Sequence, residues 1–128
     1  MHPAIFSAAI LLLLLVAAPA HAKGDPKRGE AIYERCGGCH SLQYDRIGPR
    51  HCGLIGRKAG RVADFDYTSA MRASGLTWNA ATLDAFLAAP TKRVPGTAMG
   101  FDGIKDAGER RDLIAFLEAA NKDRALCP

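Results

Sequence analysis

Cys36-Gly37-Gly38-Cys39-His40 is the stretch that decides how this chain is read. Two cysteines two residues apart, followed at once by a histidine, form the attachment pattern of haem c. Each thiol can add across a haem vinyl group, and the histidine is then carried beneath the iron as a ligand. Gly37 and Gly38 put no bulk between the two sulfurs. Two rival chemistries use similar residues. A zinc site would need Cys52 and Cys127, but the chain has no second compact ligand pair, and His40 directly after Cys39 would be a strained co-ligand. A thioredoxin-like redox pair would sit in a βαβ pattern, which does not surround this motif.

Upstream, Asp25 followed by Pro26 is a helix start, with a capping carboxylate and proline at the first helical position. Gly29, Ile32, Tyr33 and Cys36 then fall on one face, and the helix is expected to end at Gly37-Gly38. Downstream, the segment 45–60 is rich in glycine and arginine and reads as loop. A short helix is expected from Thr68 to Ser74, stopped by Gly75. Asn79 caps another, with Leu83, Phe86 and Leu87 inward and Pro90 as its end. Segment 94–104 reads as loop. Asp106 with Glu109 forms a capping box for a last helix whose inner face is Leu113, Phe116, Leu117 and Ala120. No repeats and no alternating strands appear, so the fold class is all-α.

The N-terminus is a different kind of segment. Residues 8–18 are apolar and uncharged, and Ala20-His21-Ala22 has the small-x-small form of a signal peptidase site. The run is shorter than the ~20 residues of a membrane span, so residues 1–22 are read as a cleaved signal peptide and 23–128 as one domain. The net charge of +4 resides wholly in that domain. It lacks the dense basic clusters of a nucleic-acid binder and fits an acidic protein partner better. An exported chain with four cysteines uses them covalently.

From Gly29 to Ala120 the chain resembles the small soluble class I cytochromes c. The resemblance rests on Cys36-Gly37-Gly38-Cys39-His40, Gly48-Pro49, the run Gly53-Leu54-Ile55-Gly56-Arg57-Lys58-Ala59-Gly60, Tyr67-Thr68, Thr77-Trp78, Pro95-Gly96-Thr97-Ala98-Met99 and Asp112-Leu113-Ile114-Ala115-Phe116-Leu117, in that order. It implies the cytochrome c fold, a few helices and long loops wrapped around one covalent haem c held by Cys36 and Cys39. It also implies the ligand set. His40 binds iron on one side, its other ring nitrogen donating to the Pro49 carbonyl. Met99 supplies a thioether on the other, which favours Fe(II) and raises the potential. Arg57, Tyr67, Thr68, Trp78 and Thr97 match the positions that hold the haem propionates. Leu54, Leu83, Phe86, Leu87, Val94, Phe101, Leu113 and Leu117 are expected around the porphyrin, with Gly29 and Phe116 where the first and last helices cross. Met71 and Phe86 stand where mitochondrial relatives usually carry asparagine and tyrosine, and the segment 41–47 is shorter than theirs.

The resemblance implies an electron carrier rather than an enzyme, and the signal peptide points to the bacterial, periplasmic branch of the family: a periplasmic one-electron shuttle, expected to be monomeric, with no stable membrane insertion. Its partners would be a cytochrome bc complex, a terminal oxidase or a periplasmic dehydrogenase. A docking rim of Arg35, Lys92, Arg93 and Lys105 is expected around the haem edge. Two other readings stand beside it, a haem enzyme or gas sensor with an open iron face, and the haem subunit of a larger dehydrogenase or oxidase. With Cys36 and Cys39 consumed by haem, Cys52 and Cys127 remain as an even pair in an oxidising compartment, and an internal disulfide is expected. Free thiols, or pairing of Cys127 between molecules, are the alternatives.

Overall fold

The structure, a computed structural model, describes residues 23–128; the expected signal peptide, 1–22, lies outside the described residues. Five helices follow in order: α1 (Pro26–Tyr33), α2 (Ser69–Ala73), α3 (Ala80–Ala88), α4 (Pro90–Arg93) and α5 (Ala107–Lys122). Among the described residues the one β feature is an isolated antiparallel bridge between Lys58 and Thr77.

The long α5 crosses α1, and the sequence makes that crossing close. A Cβ on Gly29 would overlap the Asp112 carbonyl of α5 and press on the Phe116 side chain, so only glycine lets the two backbones approach. The buried Asp112 carboxylate is satisfied on α1's side. It accepts from the Asp25 backbone N–H at 2.7 Å and from Arg28 Nε at 3.1 Å. Asp25 in turn caps α1 by accepting from the N–H groups of Lys27 and Arg28. Ile32, Phe116, Leu117, Leu113 and Ala120 are buried in the core this crossing builds.

Several local expectations are refined. The first helix tightens into a 3-10 turn over Glu34–Cys36 before the two glycines, a common way to finish the orphan carbonyls of a helix end. Thr68 is the cap of α2 rather than its first residue. Pro90 does end α3, and it also opens the single turn of α4, because proline fits the first helical position. The capping box at Asp106 forms only by half. Asp106 accepts from Glu109 N at 2.8 Å, but the Glu109 carboxylate takes two guanidinium N–H groups of Arg35, both at 2.9 Å. A bidentate charged pair outcompetes a neutral backbone donor. The full box occurs at Asn79 and Thr82 instead. The tail beyond α5 is held: Cys52 and Cys127 are joined by a disulfide, Cα to Cα 5.3 Å, and Gln43 Nε2 donates to the Leu126 carbonyl at 2.8 Å.

Candidate functional site

Between these helices and the two long loops lies a cleft of about 540 Å³, a size typical of cofactor and ligand sites. Its walls are mainly apolar. Leu54, Leu83, Phe86, Leu87, Phe101, Leu113 and Leu117 line it, as expected. Val94 does not: it is buried, 3 % exposed, among the core residues behind the wall.

The attachment motif sits at one edge. Cys36 is half-buried, Cys39 is exposed, and both carry free thiols. The backbone coils here so that His40 N and Cys39 N both donate to the Cys36 carbonyl, at 2.8 and 3.1 Å. That turn places both sulfurs and the His40 ring on one cleft. His40 Nδ1 lies 2.8 Å from the Pro49 carbonyl and donates to it, which makes Nε2 the ring nitrogen left for a metal. Burial lowers the His40 pKa, with the Pro49 bond opposing it, so the ring is neutral and its lone pair is available. Gly48 explains how the loop comes so near: a Cβ there would overlap the His40 ring.

Behind His40 lies a second histidine, His51, in the loop after Pro49. The His51 ring stacks on the His40 ring, centroids 4.3 Å apart and planes 23° apart. The Tyr33 hydroxyl lies 2.9 Å from His51 Nδ1. Burial of the ring, then the nearby His40 and Arg57, push the His51 imidazole down to about 3. Burial likewise drives the Tyr33 phenol up, so both partners are neutral.

The polar residues assigned by position gather on the same cleft: Pro49, Arg57, Tyr67, Thr68, Trp78 and Thr97 all line it. Their arrangement depends on a short ladder that the sequence pattern did not disclose. Gly56 N donates to the Trp78 carbonyl at 2.7 Å, Trp78 N to Arg57 O at 2.9 Å, and Ala59 N to Leu76 O at 2.9 Å. This pairing ties Arg57 to Trp78, yet at two or three residues a side it is too brief for a period-two signal. Arg57 spends its two terminal nitrogens on the carbonyls of Cys52 and Arg50, at 3.2 and 3.0 Å. Its Nε is buried without a partner. A buried N–H of this kind is costly unless something accepts from it. The hydroxyl oxygens of Tyr67, Thr68 and Thr97 each accept from a backbone N–H, of Val62, Met71 and Met99 respectively. Their own protons remain to be donated. These are donors suited to carboxylates.

Met99 borders the cleft together with Met71 and Phe86. Its loop is closed by a Thr97 N to Val94 O bond of 3.0 Å, and Met99 N donates to Thr97 Oγ1 at 3.2 Å. Trp78 and Phe86 pack with ring centroids 5.0 Å apart. Of the four cations expected on the rim, Arg35 alone lines the cleft, and it is bound to Glu109. Lys105 Nζ donates to the carbonyls of Ala88 and Asp102. Lys92 and Arg93 are exposed.

The residues fit a haem with two propionates: an apolar cleft, two free thiols at its edge, a histidine with one nitrogen reserved, a methionine, and an orphaned guanidinium N–H. The zinc alternative fails here. Cys52 and Cys127 are bonded to each other, and among the described residues no three His, Cys, Asp or Glu side chains gather as metal ligands.

Comparison with known proteins agrees. Residues 26–121 match the cytochrome c family. Cytochrome c2 of Rhodomicrobium vannielii is 44 % identical over 107 residues, which is 81 % of this chain and 86 % of that one. Cytochrome c of Cochliobolus lunatus is 44 % identical over 104 residues, covering 78 % and 96 %. The solved structure of cytochrome cH from Methylobacterium extorquens superposes with a TM-score of 0.73 at 42 % identity, covering 75 % of this chain and 99 % of that one. With its cleft, its free thiols and its helix crossing, the chain belongs to the cytochrome c family, whose members bind one covalent haem c and carry electrons rather than catalyse reactions on a substrate.

Proposed function

We propose that this chain is a periplasmic one-electron shuttle, with the haem bonded through Cys36 and Cys39 and ligated by His40 and Met99. One observation carries the reading most: His40, with Nδ1 committed to Pro49, and Met99 border the same cleft as the two free thiols. The haem supplies the one-electron couple. The chain's residues do the rest. His40 Nε2 and the Met99 sulfur would hold the iron, and with both ligands supplied by the protein little would rearrange when its charge changes. The Arg57 Nε and the Tyr67, Thr68, Trp78 and Thr97 donors would hold the propionates. The apolar wall would keep water from the iron, which would favour the less charged ferrous state.

The enzyme or gas-sensor alternative needs an open iron face with acid–base groups beside it. Met71 and Phe86 supply none. The test is spectroscopic. The ferric protein should have the weak band at the red end that reports a sulfur–iron bond, and the ferrous protein should not bind carbon monoxide. Ready carbon monoxide binding would favour the enzyme or sensor.

The periplasmic assignment draws on residues 1–22 and on the bridged cysteines. Among the described residues no helix is long and apolar enough to cross a membrane. An N-terminus at Lys23 in protein from the source cell would support cleavage after Ala22; an intact Met1 would refute it. Partners of the proposed kind, a bc complex, a terminal oxidase or a periplasmic dehydrogenase, would meet a rim drawn from Arg35, Lys92, Arg93 and Lys105.

A further inference from the structure

The Tyr33–His51 pair is a polar device placed where packing alone could be met by aliphatic side chains. Its parts come from three elements. Tyr33 ends α1 and packs on Phe116 of α5, ring centroids 5.2 Å apart. His51 belongs to the loop after Pro49, and its backbone is fixed on both sides. Its N–H reaches the Ser41 and Leu42 carbonyls, each at 3.1 Å, and its carbonyl accepts from Asn121 Nδ2 at 3.0 Å. With the backbone held, the Tyr33 bond at Nδ1 and the stack on His40 together constrain the plane of the ring.

His40 needs such a neighbour. Its bond to Pro49 constrains one edge of the imidazole, but an N–H···O bond keeps most of its strength over tens of degrees of misalignment. A flat ring lying 4.3 Å away, at 23° to His40, leaves much less room to swing. We propose that Tyr33 and His51 are a positioning pair for His40: the stacked His51 plane, locked by Tyr33, sets the rotation of the His40 ring about the axis of its Nε2 lone pair. The idea rests on His40 as the haem ligand. Its consequence is electronic. The plane of an axial imidazole selects which haem orbital holds the unpaired electron of the ferric state, so the pair fixes the magnetic axes of the centre.

The experiment uses the complete haem-bearing protein with Tyr33→Phe, His51→Leu, His51→Phe and the double change Tyr33→Phe/His51→Leu. The readouts are the spread of the haem-methyl proton shifts in the ferric protein and its electron-paramagnetic anisotropy. Tyr33→Phe and His51→Leu should shift the methyl spread in the same direction, His51→Leu further. The double variant should match His51→Leu alone, because Tyr33 acts through His51. His51→Phe restores a flat plate and should return the spread toward the native value. A native spread in both single variants, or additive shifts in the double, overturns the proposal even if stability falls. Tyr33→Phe changes one hydroxyl and keeps the test open should His51→Leu not fold. Absence of covalent haem from the unaltered protein would instead overturn the reading on which the pair rests.

Discussion

The loop that carries His40 and the loop that carries Met99 border one cleft, yet they are held by different physics. The His40 side is a lattice of directed bonds. Pro49 holds the ring's edge, His51 its face, Tyr33 and Asn121 hold His51, and the Cys52–Cys127 bridge pins the same loop to the tail. The Met99 side depends on one turn, one threonine bond and apolar neighbours. Directed bonds fix orientation, whereas apolar packing fixes volume and dryness and leaves orientation softer. The proposed reading uses both: a His40 held in orientation, and a Met99 whose surroundings would set the potential.

The largest way to break the comparison is to remove Met99, the more softly held of the two proposed ligands. Met99→Ala should abolish the red-end band, open the iron to carbon monoxide and lower the midpoint potential by at least ~0.1 V, within the ~0.8 V span that axial ligands command. A surviving band would mean that Met71, on the same cleft, had supplied the sulfur.

Next comes the bridge. Its cysteines are 75 residues apart in sequence, and loop-closure entropy values such a link at about 4 kcal/mol, with ~2–4 kcal/mol the usual measured outcome. Cys52→Ser with Cys127→Ser should lower the unfolding free energy by that amount. Because the damage falls on the His40 side, the red-end band should survive. A denaturant midpoint unchanged from the parent would show that the bridge holds nothing the other contacts do not.

Gly48→Ala sharpens the contrast on the same side. The added methyl meets the His40 ring, and overpacking of this sort costs roughly 1–3 kcal/mol. The melting temperature should fall and the haem-methyl spread should change together. A change in neither would show that the loop can back away from His40.

On the Met99 side, Phe86→Tyr puts a hydroxyl into a dry pocket, where an unsatisfied one costs ~1–3 kcal/mol. It should recruit a water or bond the Met99 sulfur, and a crystal structure of the variant would reveal either. A hydroxyl with neither partner and no loss of stability would count against the dryness of that side.

The smallest effect concerns docking. Arg35 is occupied by Glu109 and Lys105 by backbone carbonyls, so the steering of the proposed rim would rest mainly on Lys92 and Arg93. Association with an acidic redox partner should slow with added salt, but shallowly. A steep dependence would show that the Arg35–Glu109 pair opens on docking.

Composition and local pattern carried the reading a long way. The features that local pattern recorded are short-range in sequence: the Asp25 and Asn79 caps, and the helical spacing of Ile32 and Tyr33. The Cys52–Cys127 bridge and the Gly29–Phe116 crossing, both long-range, were expected from the cysteine count and the family resemblance instead. Caps, turns and helix faces are chosen by neighbours within a few residues, so a linear string records them. Tertiary structure decided what depends on atoms far apart in the chain. Glu109 abandoned its box for Arg35, 74 residues away. Arg57 met Trp78 through a ladder too short to have a period. Tyr33 lies on the face expected of it, but nothing near it in sequence says that its hydroxyl will find His51, or that His51 will lie flat against His40. Such pairings are set by where α1, α5 and the loops come to rest together, and that is a property of the packed molecule rather than of any segment.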